Sequence, residues 1–176
     1  MKKVRKYSFW YFYSKLVRHH GSPDYLARGL AAGVFIGLLI PMGFQLLIAI
    51  PMAFLVRGSK ILAGLGTMIT NPWSVTFIYP FQCWIGSILM GNPLVFRELN
   101  SDFKDLIKAP SWAALFDLGD DILIPFFVGG ALLAVIFAVL SYFMVYGMVI
   151  RYRARKEQRL HKKLAAAASR TASVVK

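Results

Sequence analysis

Apolar residues gather in three long blocks along this chain of 176 residues, at 26–56, 61–90 and 122–150, and the polar residues fall between and beyond them. A helix that crosses a bilayer once needs about 20 apolar residues, in a usual range of roughly 17–25, and every block exceeds that. The first block carries Pro41, Gly43 and Pro51, and the second carries Asn71-Pro72 and Pro80. Both therefore predict helices that break. The third has only an early Pro125 and reads as a plain spanning helix. Gly21-Ser22-Pro23-Asp24 leads into the first block, with Ser22 as the expected cap and Pro23 as the first helical residue.

The flanks differ in character. Residues 1–20 combine Lys2, Lys3, Arg5, Lys6, Lys15 and Arg18 with six aromatics between positions 7 and 13. That mixture predicts an amphipathic helix lying on the head groups. It lacks the aliphatic stretch of a signal peptide. Between the second and third blocks, residues 92–121 hold six of the eight acidic residues and predict short helices resting on the opposite surface. Residues 151–176 are basic, then Ala-rich, and are expected to leave the membrane as a helix and fray into a disordered tail.

Composition agrees with the blocks. The chain is 57% apolar and 16% charged, against about 25% charged in soluble domains, which turns the reading from water to lipid. A net charge of +13 raises the question of nucleic acid, but the cations sit at the two ends and suit anionic lipid head groups instead. Basic flanks stay cytoplasmic, so both termini are expected inside and the number of crossings even. Three blocks crossing once each would give an odd number, so one must be re-entrant. If 26–56 enters and turns near Pro41-Met42-Gly43, Arg57 and Lys60 return to the cytoplasm and the acidic stretch lies outside. The competing layout makes 61–90 re-entrant at Asn71-Pro72 and leaves Arg57 and Lys60 outside. The expected fold is an all-α membrane protein: a compact helical bundle with an interfacial N-terminal helix, a re-entrant or Pro-broken segment and at least two transmembrane crossings. Its parts are the interfacial segment 1–20, a membrane domain 21–150 and a basic cytoplasmic tail 151–176.

A break inside a bilayer carries a requirement. Pro41 deprives the Gly37 carbonyl of its donor, and Pro72 does the same for Met68. Bare backbone is tolerated at that depth only where protein or water covers it, so the other blocks should wrap around the turn. Asn71 is expected either to cap a helix half or to bond the freed carbonyls or Gln45, stapling the first two blocks together. With Gln45, Thr67 and Arg57 it also forms a candidate substrate-contacting set, because polar groups at membrane depth are costly and often functional. Gly29, Gly33 and Gly37 stand four apart on one helical face. That stripe suits packing within the chain, dimerisation or a substrate path. Arg57 at a membrane boundary would grip phosphate or simply snorkel. The lone Cys83 is expected to be inert packing. No ligand spacing for a metal, no cofactor motif and no catalytic constellation emerges.

The run Ser22-Pro23, Ala27, Gly29, Ala32-Gly33, Phe35, Gly37, Pro41, Gly43, Gln45, Ala49, Ala53, Arg57, Thr67, Asn71-Pro72, Tyr79 and Gly86 resembles the bacterial membrane family named domain of unknown function 2062. The likeness covers roughly residues 10–150. Gly58-Ser59 and Trp73-Ser74 depart from the family's usual residues after its Arg and its Asn-Pro. The resemblance implies a bacterial inner-membrane protein, and the look of some relatives, fused to glycosyltransferase-like domains, hints at envelope chemistry. Three classes follow: a non-catalytic scaffold working as a homo-oligomer or with an envelope-biogenesis partner; a small transporter or lipid-handling protein with a polar site at Asn71-Pro72; and an enzyme acting on a lipid-linked substrate, which lacks a nucleophile–base pair.

Overall fold

A computed structural model describes residues 21–94 and 119–174, and among these it contains five helices and no strand. They are α1 (Pro23–Leu39), α2 (Gln45–Leu55), α3 (Lys60–Thr67), α4 (Pro72–Leu89) and α5 (Asp120–Val174). The helix expected over 1–20 and most of the acidic stretch 92–121 lie outside the described residues.

Local chemistry sets the helix ends. The Ser22 hydroxyl accepts from Tyr25 N at 3.1 Å, and Pro23 opens α1 as the sequence suggests. Pro41 cannot extend the helix, which closes at Leu39, and Gly43 takes φ 107° in the turn that follows. α2 ends in a Schellman motif: Gly58 N donates to Ala53 O at 2.8 Å and Arg57 N to Phe54 O at 3.1 Å. The left-handed position of that motif belongs to Arg57, at φ 50°. Ser59 caps α3 and Asn71 caps α4, the latter in a reciprocal capping box with Ser74.

Each of the first two apolar blocks is thus two helices. α1 and α2 meet at residues 40–44, and α3 and α4 at 68–71, where the axis bends by 75°. Two expectations change here. Pro51 and Pro80 do not interrupt the chain but lie inside α2 and α4. Pro72 stands at the first position of α4, where its missing N–H is an orphan in any case, so it starts a helix rather than breaking one. The third block also differs: α5 runs on to Val174 without a break, through the tail expected to fray. At 55 residues it is about 80 Å long. It is the one described helix long and apolar enough to cross a membrane; the bent α3–α4 pair passes the same test only when taken as one span.

α1 lies at the centre of the bundle. Gly29 meets Ser59, Gly33 meets Ala63 and Gly37 meets Thr67, so α1 and α3 run parallel with their backbones touching. A methyl group on Gly33 would overlap the Ala63 carbonyl. The glycine stripe is therefore used for packing within the chain. α5 lies antiparallel to α1: Val34 and Leu38 pack on Ala134, and Leu26 packs with Val145 and Val149. Arg153 closes the far end by donating to the Gly21 carbonyl. α4 crosses α5 where Gly86 abuts the Pro125 carbonyl and Gly129 abuts that of Gln82. Outward faces stay apolar, with Leu47, Leu55, Trp73, Phe77 and Phe143 all at least 66% exposed.

Candidate functional site

The end of α1 leaves carbonyls without backbone donors, and in apolar surroundings each unpaired one costs about 1–3 kcal/mol. Side chains from other elements supply the missing donors. The Gln45 amide, at the first turn of α2, donates from Nε2 toward Gly37 O at 3.0 Å, Ile40 O at 2.9 Å and Thr70 Oγ1 at 2.7 Å. Its two protons are shared among these three acceptors. Thr70 Oγ1 lies 2.9 Å from Gly37 O and 3.2 Å from Thr67 O, either of which takes its single proton. From α4, Gln82 Nε2 donates to Leu38 O at 2.6 Å. The Tyr79 hydroxyl accepts from Met42 N in the turn, with the Gln45 side chain beside it. Gln45, Thr70, Tyr79 and Gln82 are all at most 5% exposed.

This is a buried polar cap over a broken helix end, built by the start of α2, the α3–α4 junction and the middle of α4. It fulfils the requirement that Pro41 creates at Gly37, and it brings the second apolar block over the turn. α5 approaches as well, Gly130 facing both the Gln82 amide and the Leu38 carbonyl. The hydrophobic shell includes Tyr79 edge-on to Phe126 at 5.1 Å, with Cys83 packed beside them. One atom stands apart: Gln82 Oε1 is buried and has no hydrogen-bond partner among the described residues.

The candidate substrate-contacting residues are not gathered in one place. Gln45 is in the cap. Thr67 lies under it, with its hydroxyl bonded back to Gly64 O at 2.8 Å. Asn71 is exposed, and among the described residues its side chain accepts only from Trp73 N and Ser74 N, both at 3.0 Å, in its own turn. The expected bond from Asn71 to Gln45 or to a freed carbonyl is therefore absent; Thr70, its neighbour, faces Gln45 instead. Arg57 is exposed at the other end of α2, about 16 Å along its axis. Tyr79 and Gln82 have no place in the sequence-derived set. Their spacing of three residues, on one face of an apolar helix, was the available signal.

A second polar group marks the opposite end of α1. Arg28 pairs with Asp24, and Tyr142 of α5 donates to Asp24 at 2.8 Å. The Arg28 guanidinium holds the Asp24 carboxyl below its ordinary range, and the Tyr142 hydroxyl adds to the effect. Ser59 N donates to Tyr25 O at 3.0 Å, which brings the α2–α3 junction to this same end. Lys60 lies over the Phe54 ring at 4.3 Å from its centroid. Arg28, Arg57, Lys60 and the cations of α5 that begin at Arg151 thus share one end of the bundle.

Residues 6–158 match the model of a family described as "Uncharacterized protein conserved in bacteria (DUF2062)". No curated protein and no solved structure matches the chain.

Proposed function

The chain belongs to that family of bacterial proteins, and from this premise we propose that it is a multi-pass inner-membrane protein acting as a non-catalytic scaffold or assembly partner for envelope machinery. The observation that carries the membrane reading is the arrangement of charge. Gly21, Tyr25, the α2–α3 junction and Arg153 lie together, so every described Lys and Arg belongs to one end of an otherwise apolar bundle. Under the positive-inside bias that end is cytoplasmic. The α1–α2 hairpin then enters from the cytoplasm and returns, the bent α3–α4 pair leads outward, and α5 crosses back with both termini inside. The distance along α5 from Gly130, beside Leu38, to Ile150 is about 30 Å, one hydrocarbon thickness. The hairpin therefore reaches close to the outer face, with its broken end covered by the cap rather than by lipid.

The scaffold reading is supported by where the polar groups spend their bonds. Cap donors hold carbonyls, Asn71 holds its own helix, and the glycine stripe holds α3, while large apolar side chains remain on the outside. Assembly would use that outer face, through a second copy or an envelope-biogenesis partner. A photoreactive residue at Trp73 or Phe77, activated in intact cells, tests this: discrete protein adducts are expected, and adducts to lipid alone would contradict it. A second reading, a small transporter or lipid-handling protein, is favoured by Gln82 Oε1, which has no partner among the described residues and lies beside a discontinuous helix. It requires Gln82→Leu to abolish a ligand-dependent protection of the buried Cys83, a change that the scaffold reading does not expect.

A further inference from the structure

One side of α5 carries a groove of about 590 Å³ that straddles the end of its apolar run. Phe143, Met144, Gly147 and Met148 line its apolar half, and Arg151, Arg155 and Arg159, at intervals of four residues, line the rest together with Tyr152 and Lys156. The first two are 66% and 64% exposed, and no described atom lies within 4 Å of where a side chain on Gly147 would begin. None of the three arginines forms an ion pair with a described residue. The nearest acidic residue on the helix, Glu157, is two positions from Arg155 and Arg159 and so points away from their face.

From this pattern we infer that the groove is a binding site for one anionic phospholipid of the cytoplasmic leaflet, with an acyl chain along Phe143–Gly147 and the phosphate among Arg151, Arg155 and Arg159. The inference rests on the membrane placement proposed above. Its ligand must be apolar at one end and anionic at the other, because the groove is apolar and then cationic along about 24 Å of helix. Three guanidinium forks one turn apart suit a phosphate by charge-assisted hydrogen bonds. Two segments of the chain itself are poorer occupants. Residues 1–20 carry six Lys and Arg and no acid, so they share the sign of the rim. The acidic stretch ends at Asp121, thirty positions before Arg151 and about 45 Å away along the helix.

The test is native mass spectrometry of the full chain extracted in mild detergent and offered phosphatidylglycerol and phosphatidylcholine at equal concentration. Wild type is expected to retain one phosphatidylglycerol in preference to phosphatidylcholine. Arg151→Gln with Arg155→Gln and Arg159→Gln should weaken that retention by about tenfold or more, while the matching Arg→Lys triple keeps most of it. Gly147→Leu keeps every charge and fills the apolar half, so it should also release the lipid. Equal retention of both lipids by wild type would overturn the site, as would undiminished phosphatidylglycerol binding by Gly147→Leu, which would mark a diffuse surface attraction. Retention of neither lipid would also overturn the site, and if the chain in addition stays in the supernatant when the membranes of the cells are pelleted, the membrane reading itself falls.

Discussion

Gln45 is the residue on which the break in α1 depends most. Its amide meets two backbone carbonyls and the Thr70 hydroxyl, so Gln45→Met, which keeps the volume and removes the donors, should destabilise the protein by about 2–4 kcal/mol. Denaturant titration in micelles, followed by helical circular dichroism, measures this. Arg57 should behave in the opposite way. It holds the left-handed position that glycine favours, so Arg57→Gly is expected to stabilise by about 1 kcal/mol in the same titration. A loss of stability would mean that the side chain contributes more than the strained backbone costs. Asn71 caps α4, so Asn71→Ala should cost about 1 kcal/mol. At this scale the sequence was readable where chemistry is local. Ser22, Pro23 and the freed carbonyl of Gly37 follow from neighbours in the chain. The partners of that carbonyl do not: Gln45 reaches it across the turn, Thr70 lies 33 residues from Gly37, and only the fold decides between Thr70 and the adjacent Asn71.

Among the elements, the close contacts of α1 with α3 and of α4 with α5 are made backbone to backbone. Gly33→Ala puts a methyl group into the Ala63 carbonyl and is expected to cost about 1–3 kcal/mol. Gly147→Ala, on an open face, should be neutral or stabilise by up to about 1 kcal/mol, which makes it the internal control. A stripe of three glycines announces a close helical neighbour without naming it, and here the neighbour is α3 of the same chain. Proline was the less reliable sign. Pro41 ends a helix, Pro72 begins one, and Pro51, Pro80 and Pro125 pass inside helices. Proline removes a hydrogen bond only when it lies past the first turn, and there neighbouring packing decides whether the helix stops. The tail shows the same limit: nothing local in its Ala-rich stretch favours fraying over continuation of α5, and Ala is the strongest helix former.

For the whole molecule, the three apolar blocks were legible as helices, and the parity of crossings leads to the proposal that one of them, 26–56 in the favoured layout, turns back. The fold adds the ordering of that block: the α2–α3 junction returns to the end where α1 begins, held by Ser59 N on Tyr25 O. The side of the membrane that holds this junction is the central claim of the account. Ser59 is 2% exposed and serves as a cap, so the reporter belongs at the exposed Lys60. With Cys83→Ala in the background, Lys60→Cys should react with a membrane-impermeant maleimide in inside-out vesicles and stay unlabelled in intact cells. Labelling in intact cells would put the junction outside, make α1 and α2 something other than a cytoplasmic hairpin, and contradict the account.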